Sequence, residues 1–120
     1  MAGKDIPWGG AANEYSTTEK VVGTWIDGKP LYQKTVDCGA LPNKTEKTVA
    51  YGISNLGYVV SIDGFATNLT NHYALPFITS TGSDQVVVSV NATNIRVTSA
   101  SDRSNITTSY VTLQYTKTTD

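Results

Sequence analysis

With one cysteine, one histidine and one methionine in 120 residues, the chain holds little of the usual material for disulfides, metal sites or acid–base chemistry. The lone Cys38 cannot close an intrachain disulfide, so the fold has to be stable in a reducing cytoplasm. Its expected role is that of a small, half-buried apolar residue near a strand end, because free cysteine is commonly buried. Charge is sparse as well: charged residues make up 16% of the chain, and nine basic side chains against ten acidic ones leave a formal net charge of −1. Nucleic-acid partners need clustered Lys and Arg to displace phosphate counterions, and without such a cluster no nucleic-acid binding is expected. Long apolar runs are missing too. No window approaches the roughly 18–20 residues that span a bilayer, and the segment Met1–Gly10 has no signal-peptide pattern, so neither membrane insertion nor general secretory export is expected.

Hydrolytic catalysis draws on a base, a nucleophile or paired carboxylates, and this chain would have to assemble them from His72 and scattered acids. Asp63, Asp84 and Asp102 stand alone at strand ends or in loops, where solvated or turn-capping roles are ordinary for aspartate. A single histidine makes neither a metal cluster nor a triad. The acids are not spaced as calcium loops require, Asp102 with Asn105 being the nearest approach, and no glycine motif cradles phosphate. The expectation is a protein that is not an enzyme and carries no metal or cofactor. Asn-x-Thr triplets at Asn43, Asn68, Asn91 and Asn105 read as by-products of a Thr- and Asn-rich composition.

What the chain has in quantity is Thr, Ser, Asn and Gly, together with β-branched apolar residues and tyrosine. No apolar period of 3.6 residues lasts beyond two turns, which points to an all-β chain. The predicted strands are Lys20–Ile26, Leu31–Val36, Thr48–Ile53, Tyr58–Phe65, Ala74–Thr79, Gln85–Val90, Asn94–Ser99 and Ser109–Thr116. About eight short strands between turn clusters predict an antiparallel, jelly-roll-like β-sandwich. It forms a single domain over residues 15–120, preceded by an N-terminal arm or linker at residues 1–14 in which Trp8 could dock on a neighbour.

Alternation predicts the faces. Val111, Leu113 and Tyr115 should point inward while Tyr110, Thr112, Gln114 and Thr116 point out. Val60 with Ile62, the set Val86, Val88 and Val90, and Ile95 with Val97 should also be buried. Tyr32, Tyr58 and Tyr115 read as packing residues. The Asp27-Gly28 pair predicts a two-residue hairpin loop with both residues at positive φ, pairing Ile26 with Lys29, Trp25 with Pro30 and Gly23 with Tyr32. Pro30 then requires a local edge on the far side of its strand. Asn91-Ala92-Thr93 predicts another hairpin, with Asn91 or Asn94 in left-handed geometry.

The segments VVGTWIDGKPLYQKTVDCGALPN, KTVAYGISN, SASDRSN and SYVTLQYTKTTD together resemble a domain found at the C-terminal end of tail-fibre and receptor-binding proteins of phages and prophages. The resemblance covers roughly Tyr15 to Asp120. It implies a β-sandwich tip, a homotrimer, a place on the virion in a tail fibre or other appendage, and attachment to a bacterial cell-surface glycan or protein. A capsid decoration or head-fibre domain, and a carbohydrate-binding module of a cell-wall hydrolase, are the alternatives.

Recognition by such a domain falls to aromatic rings, whose flat apolar faces stack on sugars, and to loops at one end of the sandwich. Tyr73 beside His72 in the Asn68–Tyr73 loop, and Arg103 beside Asp102 in the Ser101–Asn105 loop, are therefore the expected ligand-binding residues. An Asp102–Arg103 ion pair that braces its own loop is the competing role for that pair.

Overall fold

Trp25 N donates to Lys29 O, and Gly28 N donates to Trp25 O, both at 2.9 Å. The first hairpin therefore closes on a three-residue loop, a turn over Ile26 and Asp27 followed by Gly28 at φ 84°. Only Gly28 takes a positive φ; Asp27 instead accepts the Lys29 N–H through Oδ1 at 3.0 Å. A turn followed by a left-handed glycine is the common three-residue solution, and it moves the register from the predicted one. In the computed structural model, which describes residues 14–120, Lys20 pairs with Gln33, Val21 with Tyr32, Gly23 with Leu31 and Thr24 with Pro30. A bulge at Val22 absorbs the difference. The predicted arm, apart from Glu14, and Trp8 within it lie outside the described residues.

Eight strands follow: β1 (Lys20–Thr24), β2 (Pro30–Asp37), β3 (Glu46–Ala50), β4 (Leu56–Thr67), β5 (His72–Leu75), β6 (Val86–Val90), β7 (Asn94–Ser99) and β8 (Thr108–Lys117). They form two antiparallel sheets, one ordered β1-β2-β8-β4-β5 and the other β3-β7-β6. The chain crosses between sheets after β2, β3, β5 and β7, and the result is the all-β sandwich expected from the sequence. Pro30 pairs with Thr24 instead of Trp25, but the local edge expected beside it is present, because β8 joins β2 only from Tyr32 onward and leaves the far side of Pro30 unpaired.

The core lies between the sheets. Val36, Val111, Leu113 and Tyr115 from the larger sheet meet Val86, Ile95 and Val97 from the smaller one, all buried, with Val88 and Val90 packed against them. Each such Val, Ile or Leu contributes on the order of 1.5–3 kcal/mol. Cys38 is fully buried just beyond β2, and burial pushes its thiol up to about 11, so it stays protonated and unreactive at neutral pH.

Several expectations need correction. Val60 and Ile62 do not point inward together. A register shift between Val59 and Ser61 sets Val60 outside the pairing, and Ile62, although opposite Leu113, is 41% exposed. The twelve residues of β4 outrun the facing strands, of at most six residues, which cover only part of it. Tyr58 falls within another register shift of β4 and is 72% exposed instead of packed. Asn91 makes its turn with its side chain and not with left-handed backbone, Oδ1 accepting the N–H groups of Thr93 and Asn94 at 3.0 and 2.7 Å. β5 begins earlier than predicted because Asn68 Oδ1 accepts from Thr70 N and Asn71 N, closing a tight turn. His72 and Tyr73 thus enter the ladder opposite Thr67 and Ala66, and are strand residues, not loop residues.

Candidate functional site

Of the four residues expected to bind ligand, the structure brings two together. Arg103 lies with its guanidinium carbon 5.3 Å from the Tyr73 ring centre and 5.7 Å from that of Phe77, and the two rings meet edge to face at 5.0 Å. Its ion-pair partner is Asp84, Nη1 to Oδ1 at 3.9 Å, and not Asp102. The guanidinium side chain is mostly covered and Tyr73 packs against the core, so this group closes the β5–β6 side of the sandwich by cation–π packing. Asp102 braces its loop differently. Its Oδ1 accepts from Ser104 Oγ at 2.6 Å and Ser104 N at 3.0 Å, and these bonds hold its carboxyl below the ordinary value. His72 is exposed and shares the outer face of the larger sheet with Thr67, apart from both.

That outer face carries a more complete constellation. Residues opposite one another in an antiparallel ladder point the same way, so the sheet presents successive cross-strand rungs. Gln33, Gln114 and Ser61 form one, Thr35, Thr112 and Asp63 the next, and Asp37, Tyr110, Phe65 and Ala74 the third. Gln114 Nε2 donates to Gln33 Oε1 at 2.9 Å, and the hydroxyls of Thr35 and Thr112 share a bond of 2.8 Å. On the third rung the rings of Phe65 and Tyr110 stack with centres 5.7 Å apart and 28° between their planes.

The segment before β1 makes a wall beside these rungs. Thr35 N donates to Ser16 O at 2.9 Å and Gln33 Nε2 donates to Glu14 O at 3.1 Å, fastening the segment along β2 with the Tyr15 ring 68% exposed. Between wall and strands lies an open groove of about 540 Å³, with Phe65 and Tyr110 as floor and Asp63, Thr35 and Thr112 beside them. A second depression, near Tyr58 and Asn91, has one ring and no charged residue among the described residues that line it. The described residues contain no group of three or more His, Cys, Asp or Glu that could hold a metal ion.

Gly64 positions the floor. A Cβ there would stand 2.9 Å from Tyr110 O and 3.3 Å from Val111 Cγ2, so β4 and β8 approach closely only because this position is bare. Gly64→Ala should therefore force the strands apart, cost about 1–3 kcal/mol, and shift the NMR resonances of the Phe65 and Tyr110 rings. An unchanged denaturation midpoint with unmoved ring resonances would show that the contact is not limiting.

Alternation along β8 places Tyr110 and Thr112 on a wet face, but Asp63 and Phe65 join them only through strand neighbours distant in sequence. Comparison of the chain with protein-family models, with curated proteins and with solved structures finds no match.

Proposed function

We propose that this domain is a non-enzymatic attachment module that binds a bacterial surface glycan through the outer face of its larger sheet, as the tip of a phage tail fibre or similar virion appendage. The observation that carries this reading is the solvent-open groove with a stacked Phe65–Tyr110 floor, flanked by a carboxylate and paired hydroxyls. Rings offer an apolar plane to the C–H face of a sugar, and the polar rung beside them supplies hydrogen-bond partners for its hydroxyls. The virion setting is supported by the sequence motifs alone. Single glycan sites of millimolar affinity hold only about −4 kcal/mol. Linked copies raise avidity by roughly 10²–10⁴, which gives a homotrimer its physical rationale.

The test is binding of the purified domain to a panel of bacterial cells and cell-wall preparations. Phe65→Ala and Tyr110→Ala should each weaken binding about tenfold with little change in melting, since both rings lie on the solvent side of the sheet. Tyr73→Ala and Arg103→Ala should do the reverse, lowering the melting temperature while leaving binding intact. Full retention by a Phe65→Ala/Tyr110→Ala double variant would remove the groove from consideration. Sedimentation separates the settings: a trimer fits a fibre tip, whereas a monomer fits a carbohydrate-binding module of a cell-wall hydrolase using the same groove.

A further inference from the structure

We propose that the groove selects by charge, taking a pyranose that bears no negative charge and rejecting anionic glycans, with Asp63 as the residue that sets the preference. The inference rests on the attachment reading above and adds the class of ligand. Among the described residues Asp63 is the one charged residue lining the groove, and no described Lys, Arg or His lines it. Its Oδ1 accepts from Gly64 N at 3.0 Å, which fixes the carboxylate on the strand; no hydrogen bond from another described residue reaches Oδ2, which is left to accept from ligand hydroxyls.

The surrounding charges reinforce this sign. Asp37 stands on the aromatic rung, its Oδ1 accepting from Gly39 N. Lys20, on the Gln33 rung, faces Glu14 at 4.0 Å and so brings little net positive charge. His72 lies on the far side of the Phe65 rung, beside Thr67. Lys34 is turned to the opposite face of the sheet, where its ammonium donates to Tyr51 O at 2.6 Å. A uronate or phosphate laid on the Phe65–Tyr110 floor would therefore meet like charge from Asp63, with no cation among the described lining residues to offset it, whereas an uncharged sugar donates its hydroxyls to that same carboxylate in charge-assisted bonds.

The experiment is an array of purified bacterial polysaccharides sorted into uncharged, amine-bearing, and uronate- or phosphate-bearing sets, probed with the full chain, together with whole-cell binding before and after periodate or protease treatment of the cells. Wild-type protein should bind within the uncharged or amine-bearing sets and not within the uronate- or phosphate-bearing one. Phe65→Ala should weaken that binding about tenfold, the equivalent of one lost ring contact. Asp63→Asn keeps the shape but loses the charge; it should weaken uncharged ligands about fivefold and gain measurable binding to anionic ones. Wild-type binding confined to the anionic set, or an Asp63→Asn variant with unchanged selectivity, overturns the charge inference while leaving attachment standing. Cell binding abolished by protease but not by periodate also overturns it, since the ligand is then a protein. Absence of binding to every polysaccharide and every cell overturns the attachment reading itself. Concentration-dependent association that Phe65→Ala abolishes would assign the face to a second copy of the chain and overturn both.

Discussion

Leu113→Asp is expected to leave no cooperatively folded protein. Leu113 is fully buried in β8, the central strand of the larger sheet, opposite Lys34 on β2 and Ile62 on β4. Truncating a buried leucine alone costs about 2–5 kcal/mol. An uncompensated carboxylate in its place adds several kcal/mol of desolvation. The facing Lys34 ammonium is drawn toward the Tyr51 and Gly52 carbonyls, at 2.6 and 3.4 Å, so turning it to the new carboxylate would strip donors from both. Domains of this size hold only about 5–15 kcal/mol in total. Circular dichroism and amide NMR should show an unfolded or aggregated chain. A soluble Leu113→Asp protein with a sharp thermal transition would show that the inward face of β8 has been misassigned.

The second large effect is expected at Tyr115, the largest of the fully buried side chains. Its ring stacks on Tyr32 with centres 5.8 Å apart, and its hydroxyl donates to Glu19 Oε1 at 2.6 Å. Lys117 reaches the other oxygen of Glu19 at 2.9 Å and also lies 5.0 Å from the centre of the Tyr32 ring. Burial and the Glu19 bond push the Tyr115 phenol far up, so it remains a donor throughout the accessible pH range. Tyr115→Ala should cost about 3–5 kcal/mol, as for other large aromatic truncations. Tyr115→Phe keeps the stack and should cost about 1.5–3 kcal/mol, the value of a bond to a charged acceptor. At roughly 4–8 °C per kcal/mol for a domain near this size, the two are separable by melting temperature.

The same network gives a pH dependence. Burial raises the Glu19 pKa, but the hydrogen bonds from Tyr115 and Lys117 and the positive charges of Lys117 and Lys34 outweigh it, and the carboxyl lies below its ordinary value of 4.5. The folded form therefore binds that proton less readily than the unfolded form. The stabilisation is complete above the unfolded value and is lost as pH falls through the lower folded one. Stability measured from pH 7 down to pH 3 should fall more gently in Tyr115→Phe and Glu19→Gln than in the wild type. Equal acid slopes in all three would remove Glu19 from the account.

Strand content was legible because period-two alternation and turn chemistry are local. β7 occupies the range its alternation predicts, and β8 shows the predicted alternation along most of its length, Val111, Leu113 and Tyr115 inward with Tyr110, Thr112 and Gln114 outward. Register was not legible. One left-handed residue at Gly28 and one bulge at Val22 displaced the Tyr32 partner from Gly23 to Val21, and the shifts in β4 separated Val60 from Ile62. Strand order was not legible either, because it depends on contacts distant in sequence. Thr35, Asp63, Phe65, Tyr110 and Thr112 come from three strands that become neighbours only when β8 inserts between β2 and β4. Read singly, Asp63 is an isolated acid and Phe65 the last residue of a strand. The Tyr73–Arg103 contact was likewise hidden, since the two residues lie thirty positions apart and look like loop polars until Asn68 closes its turn.

The bulge at Val22 also bears on crowding. A straight outermost strand acts as a template for other chains and can zip them into fibrils when copies come close. Here β1 is only five residues long and its pairing register breaks between Val21 and Gly23, while at the opposite margin β5 has four residues and is followed at once by Pro76, which has no N–H to offer. Neither margin of the larger sheet presents an unbroken comb of donors and acceptors. The same irregularity that defeats register reading from sequence thus leaves the outer strands of the larger sheet poor templates for pairing with another chain.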